Sequence, residues 1–298
     1  MRLCWNDWFN GPLKDITAKD AIELYEMGYR VVGINSGDAN ATDDDIKRVR
    51  DIVLGHGLQF GPYGSGGGAF HPDPATNRKN KDHLARAIQI AGKLGCTGVR
   101  FSVGSMHLTN VWMHHPENHT QKALDMCIES TRDLVPVAED AECMLCPETT
   151  LWTIVNSVQR MKEYVDRLDS PYAKIVLDPV NHMTYDRVYE SGRFIRCAIG
   201  TLGDRIGEIH VKDVMVQDLL LVSHIDEIEM GNGLMDHAAI MKASDQLEPW
   251  KTFSLEHIRD RSKVKPAYDY IQSVATKIGH QWTEPSCTRE RWAKGQCK

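Results

Sequence analysis

Short apolar, β-branched runs alternate with longer stretches in which apolar residues recur every three or four positions, and this alternation continues along the whole chain. The runs predict strands over 2–5, 30–35, 58–62, 98–103, 143–148, 173–178, 207–212 and 252–256. Between them the periodicity predicts helices over 17–27, 42–55, 79–94, 120–141, 151–167, 185–202, 235–247 and 264–278. Thr17 and Asp20 have capping-box spacing, and Gly28, Gly95 and Gly279 stand where helices should end. Eight strand-helix units without a Pro-, Gly- or Ser-rich linker predict an α/β chain forming a single (β/α)8 TIM barrel over 1–281, with a tail extension over 282–298. An open doubly wound sheet would need a phosphate fingerprint after its first strand, and residues 5–11 contain no G-x-G-x-x-G. The glycine-rich stretch 61–68 lacks a following Lys-Ser/Thr and reads as a flexible loop over a site.

Composition narrows the class. With 298 residues, 42% hydrophobic and 26% charged, the chain is neither disordered nor a small disulfide scaffold. Apolar runs such as 174–177 and 219–222 are far shorter than the roughly 18 residues of a membrane span. Trp5, Asn6 and Asp7 interrupt any signal-peptide core, so a cytoplasmic protein is expected, with most of its eight cysteines reduced. Cys143-x-x-Cys146 lies in an apolar run and reads as a buried strand rather than a redox or zinc pair. A net charge of -6 argues against nucleic acid as partner.

In a barrel of this type the site is built from the C-terminal ends of the strands. Glu148, Asp178 and Glu256 end predicted strands five, six and eight, and His210 lies just before the end of strand seven. Three carboxylates and an imidazole converging from four strands make a hard to borderline divalent site, favouring Mn, with Co, Mg or Zn as alternatives. Without a cation the carboxylates would repel one another and their pKa values would rise. Lys212 with Asp213 reads either as a ligand-orienting or substrate contact or as a structural ion pair. His107, Trp112, His114 and His115 fall in the loop after strand four and form a candidate lid; Trp5 and Trp8 are candidates for stacking on a substrate ring or for core packing.

The ordered motifs resemble the sugar isomerase and epimerase group with the xylose isomerase-like barrel, which includes the ketose 3-epimerases. They are the 64–68 glycines, His115-Pro-Glu-Asn118, Pro147-Glu148, Leu177-Asp-Pro-Val-Asn181, Ile209-His-Val-Lys-Asp213, Glu229-Met-Gly-Asn-Gly233 with Asp236, and Leu255-Glu-His257. The resemblance implies one metal ion held by Glu148, Asp178, His210 and Glu256, with both glutamates exchanging protons with substrate. It departs where these epimerases commonly place a substrate-binding His: that position is Asn181, followed by His182, and both are substrate-contact candidates. The DNA-repair branch needs further histidines that 229–233 does not supply. With a divalent ion bound, the C–H beside a sugar carbonyl becomes acidic, and Glu148 and Glu256 as base and acid would epimerise or isomerise the sugar through an enediolate. Two other readings stay open: a lyase cleaving 3-keto-glycosides by β-elimination, and a non-catalytic barrel that binds metal or a partner. The expected partner is a small sugar or sugar derivative, with no membrane, and a homo-oligomer is compatible with the tail.

Overall fold

The computed structural model describes every residue except Asp218, Leu220, Ser223 and Lys298. Among the described residues the strands are β1 (Arg2–Phe9), β2 (Val31–Ile34), β3 (Gln59–Gly68), β4 (Gly98–Ser102), β5 (Met144–Glu148), β6 (Ile175–Leu177), β7 (Ile206–Val211), β8 (Asp213–Val216), β9 (Ile225–Ile228) and β10 (Thr252–Leu255). Eight close a parallel barrel in the order β1-β10-β7-β6-β5-β4-β3-β2, wrapped by the intervening helices: a single (β/α)8 barrel. The other two, β8 and β9, pair antiparallel as a hairpin.

Strand alternation decides which side chains enter the barrel. Arg100 lies opposite Cys146 and Ser102 opposite Glu148; Glu148 pairs with Val176, Val176 with Glu208, and His210 with Ser254. Stepping by two therefore places Asn6, Arg100, Glu148, Asp178, Glu208, His210 and Glu256 inside. Their neighbours Trp5, Val99, Leu177, Ile209 and Leu255 face the helices and join one continuous apolar core. Gly33 is required beside this interior, since a Cβ there would sit 2.9 Å from the Asn6 backbone.

Several boundaries differ from expectation, each for a local reason. The glycine-rich stretch is not a loop, because β3 runs on through Gly68. The helix expected over 120–141 breaks into Gln121–Arg132 and Val135–Asp140. Pro136 has no N–H to donate and its ring would clash with the carbonyl of Arg132. The helix expected from 151 starts at Val158, where the Ser157 hydroxyl accepts from the Arg160 N–H. The 185–202 segment splits into Tyr185–Val188 and Ser191–Leu202. The Thr17–Asp20 box forms, and Gly95 and Gly279 adopt left-handed conformations at the helix ends.

The tail crosses the N-terminal end of the barrel. Thr283 N donates to Met1 O at 3.1 Å, and Arg2 Nη1 donates to Pro285 O at 3.1 Å. Cys287 packs with Met144, Cys146, Val176 and Trp250 and is disulfide-bonded to Cys297, while six cysteines are free. Cys143 and Cys146 are buried free thiols in the core, as their apolar setting predicts. No described helix is long and apolar enough to cross a membrane.

Candidate active site

Four strands deliver one cluster. Ligand atoms from Glu148, Asp178, His210 and Glu256 all lie within 4.8 Å of one another. Asp178 and His210 are fully buried, and Glu148 and Glu256 flank them toward the mouth. Asp178 Oδ2, His210 Nδ1 and Glu256 Oε2 are buried and turned to one point, and their partners there are one another and the Lys212 ammonium. Concentrating these carboxylates away from water is costly, and a bound cation would draw on all three atoms at once.

Lys212 shows that the cluster favours positive charge. Its buried ammonium lies 2.8 Å from Asp178 Oδ2, 3.2 Å from Glu256 Oε2 and 3.9 Å from Glu148 Oε1. Burial opposes ionisation of Asp178 and Glu256, but Lys212 and His210 outweigh it and hold both well below the usual carboxylate range. For Lys212 burial lowers and Asp178 with Glu256 raises, and the carboxylates win by a wide margin.

Beneath the cluster lies a polar layer that the sequence reading missed. The Asn6 amide satisfies its surroundings in one orientation: its oxygen accepts from Arg100 Nη1 at 2.8 Å and from His210 Nε2 at 2.9 Å, and its nitrogen donates to Glu208 Oε1 at 3.2 Å. Arg100 Nη1 also lies 3.1 Å from Glu256 Oε1, and Glu208 Oε1 lies 3.5 Å from His210 Nε2. His210 thus commits Nε2–H to the layer below and turns Nδ1 to the cluster, where it lies 2.8 Å from Glu256 Oε2 and is the ring atom a metal ion would take up in place of a proton. The signal was available: Glu208 stands two residues before His210, on the same face of β7.

The remaining candidates separate. Asn181 joins the site, its Nδ2 donating to Glu148 Oε1 at 2.7 Å and its Oδ1 lying 3.4 Å from Lys212 Nζ. Trp112 lines the same cavity of about 440 Å³, together with Asn35, Ser102 and Thr150. His182 turns away: it is buried, 3.0 Å from Thr149 Oγ1, and stacks on Phe194. Burial lowers its pKa to about 4. His107 is absent from that cavity wall, its Nδ1 accepting from the Thr109 N–H. Trp5 packs on Tyr29 with ring centroids 6.0 Å apart, on the helix side of β1. Neither contact expected of His107 and Trp5 is formed at the cluster. Asp213 does not pair with Lys212; it accepts from the backbone N–H groups of Val214, Gly231, Gly233 and Met235. Missed as well was the pair His257–Glu227, 2.7 Å apart, beside the cluster.

A family profile for the xylose isomerase-like TIM barrel matches residues 20–277. SgbU of Escherichia coli K12, provisionally assigned as an L-ribulose-5-phosphate 3-epimerase, is 22% identical over 67% of this chain; the match spans 65% of that relative's length. A xylose isomerase-like TIM barrel protein from Mycobacterium smegmatis, solved in complex with magnesium, superposes with a TM-score of 0.68 at 17% identity, covering 92% of this chain and 97% of the other. The 3-keto-D-glucoside 4-epimerase YcjR of E. coli gives the same TM-score of 0.68 at 15% identity, covering 93% of this chain and all of the other to within a percent. The structural neighbours establish the fold, and the profile, spanning all but the first strand and the tail, establishes descent: the chain belongs to the xylose isomerase-like TIM barrel family.

Proposed function

We propose that the chain is a divalent-metal-dependent sugar epimerase or isomerase whose metal is held by Glu148, Asp178, His210 and Glu256. The observation that supports this reading is the convergence of four ligand-type atoms, from Glu148, Asp178, His210 and Glu256, within 4.8 Å of one another at the C-terminal mouth of the barrel. A carboxylate-rich set with one imidazole suits Mn best and accepts Co, Mg or Zn. The magnesium of the M. smegmatis barrel and the 3-epimerase assignment of SgbU support a divalent ion and sugar epimerisation. When bound, the ion supplies Lewis acidity that makes a C–H beside a sugar carbonyl removable and stabilises the enediolate charge.

The protein's own groups do the rest. Glu148 removes the proton, oriented by the Asn181 amide. Glu256, its Oε1 held by Arg100, turns Oε2 toward the cluster beside Lys212 and returns a proton to carbon. Lys212 and Asn181 contact sugar oxygens, and Trp112 offers a ring to the sugar face. The partner is a small sugar or sugar derivative.

Reaction in D2O tests the chemistry. An epimerase or isomerase places deuterium on carbon and leaves the skeleton intact; a released β-substituent in place of deuterium would assign the lyase reading instead. Glu148→Gln and Glu256→Gln should each stay folded and lose about 10²- to 10⁴-fold in rate. Elemental analysis should find about one divalent ion per chain, lost in Asp178→Ala and His210→Ala. Full metal occupancy in the variant carrying both Asp178→Ala and His210→Ala, or a fully active glutamine variant, would overturn the reading.

A further inference from the structure

The cluster opens on two sides. One is the polar cavity already described. The other is a second cavity of about 350 Å³ that shares Lys212, Glu256 and His257 with the first and runs between the β8–β9 hairpin and the loop after β10. Its far wall is aliphatic, built from Ile228, Met230, Ile258, Pro266 and Ala267. Ile228 is 38% exposed, so the protein leaves apolar surface uncovered beside a mouth that is otherwise polar.

Most ionic groups on this wall are already committed. Asp213 is consumed by four backbone N–H groups, Glu227 by His257 at 2.7 Å, and Glu229 by Lys263 at 3.2 Å. Asp260 accepts from both the N–H and the hydroxyl of Ser262. What these groups leave open to a ligand is therefore mainly hydrocarbon, with Arg259 exposed at the rim. Hydrocarbon beside a sugar-sized polar cavity is complementary to an apolar group attached to a sugar.

We infer that this second cavity is a subsite for an apolar substituent, so that the substrate is a keto-glycoside or similarly substituted keto-sugar, carrying an aryl or alkyl group besides the ring carbonyl that proton abstraction requires, rather than an unsubstituted or phosphorylated sugar. The inference rests on the reading that sugars are processed at the cluster. Glu256 and Lys212 border both cavities, so a molecule whose reacting carbon sits at Glu256 has its polar ring on one side and its substituent on the other. The aliphatic wall gains from burying an aryl ring and gains nothing from a hydroxyl or phosphate.

The test uses the manganese-loaded full chain and matched sets of free sugars, sugar phosphates, and methyl and phenyl glycosides oxidised to the 3-ketone, in the gluco, galacto and xylo configurations, read by titration calorimetry and by deuterium exchange. In the configuration that binds, the phenyl glycoside should bind at least about tenfold tighter than the methyl glycoside, as burial of one ring allows. Met230→Asp should bring that ratio close to one at unchanged metal content, and Ile258→Asn should do the same should the hairpin variant fail to fold. Equal binding of phenyl and methyl glycosides, or a tighter sugar phosphate captured by Arg259, overturns the subsite. Exchange on a free or phosphorylated sugar with no phenyl advantage overturns the subsite alone and leaves the epimerase reading standing. Binding of no member overturns both.

Discussion

Because the Asn6 amide oxygen takes the Nε2 proton of His210, the imidazole keeps Nδ1 for the cluster, and Glu208 stands behind the same nitrogen. Losing that support should weaken metal binding without removing a ligand. Asn6→Leu or Glu208→Gln should cost about 10- to 100-fold in affinity, measured by competition with a chelator. His182, in contrast, serves the fold. Its usual pKa of 6.5 drops to about 4 through burial, so the unfolded chain takes up the proton first. Stability is therefore full above about pH 6.5 and is lost as pH falls toward 4, and in urea titrations His182→Gln should flatten that part of the slope. The pair Asn181 and His182 marks where sequence reading stops at this scale. Both stand just past the end of β6, but the short helical turn Val180–His182 presents Asn181 to Glu148 and sends His182 into the core. No periodicity announces which way a three-residue turn faces.

At the scale of elements, the eight barrel strands were legible because each is an apolar run between turn signals, and the four residues of the cluster were legible because ionisable residues close those runs. The hairpin was not. Residues 213–216 and 225–228 are short and partly polar, and their pairing depends on Asp213, whose carboxylate holds the N–H groups of Gly231, Gly233 and Met235 across the base of the hairpin. Gly233 is the complementary requirement, since a Cβ there would lie 2.1 Å from Asp213 Oδ1. Asp213→Ala should leave these amides to water, and hydrogen exchange should show them losing protection while the barrel strands keep theirs. Arg100 and Glu208 were missed for a different reason: charged residues in mid-strand look like exceptions to a buried run until the barrel is closed and both point inward.

On the scale of the whole molecule, the tail and its disulfide seal the end of the barrel opposite the site. Cys287 is fully buried, and its loop to Cys297 spans ten residues in sequence. Closing a loop of that length contributes about 2–3 kcal/mol by restricting the unfolded chain. Cys297→Ser should therefore lower Tm by a few degrees, and a reductant should lower the Tm of the native chain but not of the variant. Sequence spacing alone could not pair these two thiols, because eight scattered cysteines allow many pairings and only the fold selects one. A practical consequence follows from where this tail lies. A chain anchored to a solid support through its last residues is held by the closed end, so every copy faces outward with its mouth toward the bulk solution. Fixed this way, a layer of the protein would present its mouth to dissolved small molecules in a single orientation, as an oriented sensing surface requires.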